Sequence, residues 1–152
     1  MFSFFKKKDL NFTEDEKSLI VQAVKQAEHR TSGEIRVFVE SHCRFLDPLD
    51  RAVEVFHELK MEATEKRNAV LLYVALKDRQ LAILGDAGIH AQVGDEFWNA
   101  RVAKLIEEFN GANYIAGISE CVLKIGEALA SHFPYEGATD KNELSDEIVF
   151  GR

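Results

Sequence analysis

Residues 68–96, Asn68-Ala69-Val70-Leu71-Leu72-Tyr73-Val74-Ala75-Leu76-Lys77-Asp78-Arg79-Gln80-Leu81-Ala82-Ile83-Leu84-Gly85-Asp86-Ala87-Gly88-Ile89-His90-Ala91-Gln92-Val93-Gly94-Asp95-Glu96, decide the fold. An aliphatic run from Ala69 to Leu76 is followed by four polar residues and a second apolar run, Leu81 to Leu84. Two such runs around a short charged turn predict a β-hairpin. The second strand ends on Gly85-Asp86-Ala87-Gly88-Ile89, a carboxylate between two glycines. Glycine allows close backbone approach, so the chain can fold here around an ion or a ligand.

Working outward, Thr13-Glu14-Asp15-Glu16 has the spacing of a capping box, and Leu19, Ile20, Ala23, Val24 and Ala27 continue at helical spacing. Ile35, Val37 and Val39 alternate with Glu34, Arg36 and Glu40, while Phe38 interrupts the polar side, so a strand covered partly on both faces is expected. Asp47-Pro48 predicts a helix start, with Asp47 as N-cap. The apolar stripe of that helix is read as Ala52, Val53, Phe56, Leu59 and Met61. Asp95 opens a long helix to Phe109, with Phe97, Trp98, Val102, Leu105, Ile106 and Phe109 facing inward. Asn110 to Asn113 breaks it, and a last helix runs from about Tyr114 to Ser131, burying Ile118, Cys121, Val122, Ile125 and Leu129.

The order helix, strand, helix, strand, strand, helix, helix gives an α/β fold. A β-α-β unit prefers parallel strands. The hairpin adds an antiparallel strand, and helices sandwich the small mixed sheet in three layers. Residues 1–12 are read as an N-terminal tail, 13–133 as the domain and 134–152 as a tail. Five acids against one lysine between Glu136 and Glu147 make that tail acidic, with Ile148-Val149-Phe150 able to dock.

A chain of 152 residues with 46% hydrophobic and 30% charged residues suits a single domain. The net charge of -7, with no basic stripe, argues against nucleic acid. The N-terminus Met1-Phe2-Ser3-Phe4-Phe5-Lys6-Lys7-Lys8 puts basic residues after the apolar ones, the reverse of a signal peptide. No run approaches the ~20 apolar residues of a membrane helix. A soluble, cytoplasmic protein is expected, without direct membrane insertion. Cys43 and Cys121 are expected to be buried free thiols in a reducing compartment.

Topology gathers the candidate site. With strands one and two parallel and strand three antiparallel, Glu34, Arg67-Asn68 and Asp86 fall along one sheet edge, and Asp95 lies just beyond. Carboxylates, a side-chain amide and loop carbonyls suit a hard cation such as Ca²⁺. The candidate metal ligands are therefore Asp86, Asp95 and Glu34 with backbone oxygens of residues 85–89; Gly85, Gly88, Asn68 and His90 adjoin them. Structural roles compete: Asp86 or Asp95 as helix caps, Glu34 paired with Arg36 or Arg67, His90 as a surface residue, Trp98 as core. The loop is not an EF-hand, because the third, fifth and twelfth positions from Asp86 are Gly88, His90 and Phe97. His57-Glu58-Leu59-Lys60-Met61 has methionine where a zinc HExxH needs histidine, and Leu49 stands where a Cys43-based phosphatase needs arginine.

Asn68-Ala69-Val70-Leu71-Leu72, the Gly-Asp-x-Gly-Ile loop, Thr31-Ser32-Gly33-Glu34-Ile35 and Phe97-Trp98 resemble, in order and spacing, the TPM domain family. The resemblance spans roughly residues 13–133 and implies a mixed sheet flanked by helices. It also implies calcium binding, weak acid phosphatase activity, or a membrane-protein partner whose complexes the domain helps assemble or maintain. A non-enzymatic module binding calcium or a partner is the leading expectation, and a metal-dependent phosphomonoester phosphatase is the alternative.

Overall fold

Helix and strand follow from where the apolar residues recur, and the sheet from how the hairpin meets the first strand. A computed structural model of the protein describes residues 12–110, 114–137 and 148–151. Helix α1 (Glu14–Glu28) leads to β1 (Glu34–Glu40), α2 (Pro48–Glu58), β2 (Ala69–Ala75) and β3 (Gln80–Gly85). Then come α3 (Ala87–Asn110), α4 (Tyr114–His132) and a two-residue strand, β4 (Val149–Phe150). The sheet order is β3-β2-β1-β4. β1 runs parallel to β2, with Glu34 opposite Ala69, and β3 runs antiparallel to β2, with Gly85 opposite Val70.

Strand alternation divides the core into two layers. Ile35, Val37, Val39, Val70, Leu72, Val74, Leu81 and Ile83 pack with buried residues of α1, α3 and α4. Phe38, Leu71, Tyr73 and Ala82 face the other way, against Ala52, Val55 and Phe56 of α2 and against Met61. All seven residues of β2 are buried, which explains its continuous apolar run. The three-layer mixed sheet is the expected fold.

The capping box forms: Thr13 Oγ1 accepts from Glu16 N at 3.0 Å, and Glu16 Oε1 accepts from Thr13 N at 2.9 Å. Asp47 caps α2 by accepting from Leu49 N. Ile148 and Phe150 pack against the core, Phe150 meeting Phe12 edge-on at 5.7 Å, and β4 extends the sheet at Phe38 and Val39. Residues 1–11 and 138–147, which include the lysine run and most of the acidic stretch, lie outside the described residues. Among the described residues no helix is long and apolar enough to cross a membrane.

Three details correct the sequence expectation. Leu19 is 59% exposed, Val53 39% and Ile106 41%, so none belongs to the buried stripe of its helix. On α2 the inward face is Ala52, Val55 and Phe56; Val53 is one residue from Ala52, a rotation of about 100°, and points away. Helix α3 begins at Ala87 rather than Asp95. Its two segments meet at Gly94, whose φ of 77° and ψ of 175° are non-helical. Gly94 therefore holds the cap position of the second segment, and Asp95 is its first helical residue.

Both thiols are free; Cys121 is buried as expected, but Cys43, in the loop after β1, is only partly buried. Burial pushes the Cys121 thiol from 9.0 up to about 12, aided by Glu120 and opposed by Arg101. A folded-state pKa above the unfolded value stabilises the fold fully below the unfolded one. That contribution is lost as pH rises from about 9 to about 12. Urea unfolding should show Cys121→Ala losing less stability across that window than the parent, by up to about 1.4 kcal/mol per pH unit. Equal alkaline slopes would refute a buried neutral thiol in the native state.

Candidate functional site

The sheet topology brings the starts of β1 and β2 and the end of β3 to one edge. Asp86 follows β3 directly, and its amide donates to Ala69 O at 2.9 Å. Its carbonyl accepts from His90 N at 2.9 Å, so Asp86 heads helix α3. Its carboxylate is 6% exposed and bound by Arg67: Nε to Oδ2 at 2.6 Å and Nη2 to Oδ1 at 2.8 Å. Oδ1 also accepts from Ala87 N at 2.8 Å. These hydrogen bonds, and then the charge of Asp86, raise the pKa of Arg67, although its side chain is 52% exposed.

Arg67 reaches Asp86 from a left-handed backbone position, φ 53°. Gly88 closes the same junction, because its amide donates to Arg67 O at 2.8 Å. A Cβ built on Gly88 would lie 2.6 Å from Arg67 O and closer still to Lys66 O. Only glycine fits there. Gly85 is needed for a different reason, since a Cβ would enter the Trp98 ring.

Asn68 and Glu34 lie beside this junction. Glu34 N donates to Asn68 O at 3.3 Å, and Asn68 N donates to Thr64 Oγ1 at 3.3 Å. Glu34, Thr64, Asn68 and Asp86 are all buried. Asn68 Oδ1 is a buried acceptor without a hydrogen-bond partner among the described residues. The donors on this edge are oxygens, the chemistry a hard cation takes.

His90 and Asp95 stand farther along α3. His90 Nδ1 accepts from Trp98 Nε1 at 3.0 Å, and His90 Nε2 lies 3.4 Å from Asp95 Oδ1. Trp98 is buried core, and the Asp95 carboxylate is 86% exposed. Among the described residues no three His, Cys, Asp or Glu side chains form a metal-holding group. Glu34, Asn68 and Asp86 thus share one edge, while Asp95 pairs with His90. A cation at the edge would draw on the Asn68 amide and loop carbonyls as well as carboxylates.

The opposite edge, at the carboxyl ends of β1 and β2, holds a network that sequence reasoning missed. Glu40 is buried at the end of β1. It accepts from Arg51 Nε at 2.9 Å and Nη2 at 3.0 Å, and from the Tyr73 hydroxyl. Burial first, then the hydrogen bond to Glu40, raise the pKa of Tyr73; the Glu40 hydrogen bond raises that of Arg51. Nearby, Asp78 Oδ1 bonds His42 Nδ1 at 2.9 Å and Oδ2 accepts from Cys43 N at 2.7 Å. His42 and then Cys43 hold the Asp78 carboxyl below its usual range. These contacts fasten the strand ends and the loop into α2. The alternation of β1 hinted at Glu40 only as a polar-face residue.

A family model described as the TPM domain matches residues 8–128. The BA42 protein of the psychrophilic bacterium Bizionia argentinensis, solved by NMR, is 40% identical, with a TM-score of 0.84 over 93% of this chain and 96% of that one. The N-terminal domain of the cg2496 protein of Corynebacterium glutamicum shares the fold at 16% identity and a TM-score of 0.62, over 85% of this chain and 79% of that one. The N-terminal domain of a P. gingivalis protein does so at 16% and 0.63, over 82% of each chain. No curated protein matches the sequence. A family model spanning most of the chain and a close structural relative aligned over nearly its full length agree: the protein belongs to the TPM domain family.

Proposed function

We propose that this domain is a non-enzymatic binding module that takes a divalent cation, calcium before magnesium, at the edge formed by Glu34, Asn68 and Asp86. The observation that carries the reading is Asn68 Oδ1, a buried carbonyl-type oxygen left without a partner among the described residues. An unsatisfied buried acceptor costs about 1–3 kcal/mol, and a bound cation removes that cost. The neighbouring donors are carboxylates and backbone oxygens, which suit the flexible coordination of calcium better than the strict octahedron of magnesium. Arg67 holds Asp86 with two hydrogen bonds, and its side chain is half-exposed to water. A cation recruiting Asp86 therefore competes with Arg67.

The test is thermal unfolding of chelator-stripped protein in a calcium titration. Binding stabilises by RT ln(1 + [L]/Kd), about 2.7 kcal/mol at a hundredfold excess over Kd, an upward shift of several degrees. Asp86→Asn should shrink the shift and Arg67→Ala should enlarge it. An unchanged melting temperature throughout would refute the site. Phosphomonoester turnover that required the same metal and vanished in Asp86→Asn would make the site catalytic, with the metal activating water.

A further inference from the structure

The sheet has two outer strands, β3 and β4. Helices α2 and α3 both pack on β3, whereas β4 lies beside β1 and has no strand on its far side among the described residues. β4 sits closely on β1. Gly151 N donates to Val39 O at 2.7 Å, and a Cβ on Gly151 would come within 2.5 Å of the Phe38 ring. Main-chain groups of successive strand residues point to opposite sides. Gly151 faces β1, so Val149 does too, and the amides and carbonyls of Ile148 and Phe150 face outward. Such an edge is a template for one more strand. Ile148 and Phe150 lie on the α1 side of the sheet and Val149 on the other, and all three are only partly buried. Beside Ile148 and Phe150 runs an open groove of about 460 Å³, walled by Lys17, Val21 and Lys25 of α1. An added strand would lay its side chains there.

The local sequence identifies the strand that fits. Asp146-Glu147-Ile148-Val149-Phe150-Gly151-Arg152 runs from acids through apolar residues to an arginine. Laid antiparallel on a second copy about Val149, it sets Ile148 opposite Phe150, a favoured β-branched and aromatic pair, and Asp146 opposite Arg152. A parallel arrangement would set each charge against its like. Hydrogen-bond parity agrees, because Ile148 and Phe150, which would exchange bonds in this register, are the residues facing outward. A segment complementary to itself in this way is what a two-fold interface requires.

We infer that two copies of this chain pair antiparallel through their β4 edges, joining the two sheets into one. This reading is independent of the cation site. The paired segment is short, so the dimer forms at micromolar to millimolar protein and dissociates on dilution.

Analytical ultracentrifugation of the full chain should show a reversible monomer–dimer equilibrium over that range. NMR on a mixture of isotope-labelled and unlabelled chains should give intermolecular contacts between Ile148 and Phe150. Arg152→Asp should weaken dimerisation about tenfold, because the two-fold axis repeats the charge pair, while the melting temperature of dilute protein stays unchanged. Adding Asp146→Arg to that variant should restore the parent association by exchanging the two charges. A chain that stays monomeric at millimolar concentration would overturn the proposal, and binding of a synthetic peptide of residues 146–152 to that monomer would assign the edge to extended segments of other proteins. A dimer indifferent to Arg152→Asp, or one that the charge exchange fails to restore, would overturn it equally.

Discussion

Leu72→Ala is expected to cost about 2–5 kcal/mol in urea unfolding, from the lost transfer free energy and the cavity left behind. Leu72 is fully buried at the centre of β2, with Val37 opposite it on β1 and Ile83 on β3. All three contribute to the layer beneath α1, α3 and α4. Relaxation is restricted because strands pair with β2 on both sides. The midpoint should fall while the denaturant slope stays constant, as for a change in stability rather than in compactness. A loss under ~1 kcal/mol would mean that this face of the sheet is not sealed by its helices.

The hairpin was legible because its signals are local: two apolar runs, a four-residue polar break and a glycine-bounded exit. Parallel pairing of β1 and β2 followed from the helix between them, and it correctly put Glu34, Asn68 and Asp86 on one edge. What was not legible depends on contacts distant in sequence. Arg67 binds Asp86 across 19 positions from a left-handed backbone that no residue pattern announces. Val53 and Val55 are the same residue type, and only packing against the sheet selects the latter for the core. The helix expected to open at Asp95 already starts at Ala87, in a first segment that ends at Gly94 and carries Ile89 into the core; Gly88 and Gly94 mask that segment in the sequence. Ile148 to Phe150 carries an apolar signature, but three residues cannot specify which strand they join.

Glu40→Ala is expected to cost about 3–5 kcal/mol, the range for removing one member of a buried charged pair. Tyr73 is fully buried, and its hydroxyl donates to Glu40. The Arg51 side chain is 18% exposed and spans the same carboxylate with two nitrogens. Alanine at position 40 would leave the tyrosine hydroxyl without its acceptor and Arg51 without its main counter-charge. Tyr73→Phe should cost less, about 1–2 kcal/mol, because Glu40 keeps both bonds to Arg51. Arg51→Ala should approach the Glu40→Ala value, since it strands the carboxylate in the core. The Glu40→Ala/Arg51→Ala double variant should then lose much less than the sum of the single losses, as expected for groups acting as one unit. Additive losses in that cycle would mean that Glu40 and Arg51 stabilise the fold separately, and that the bidentate contact contributes little in solution.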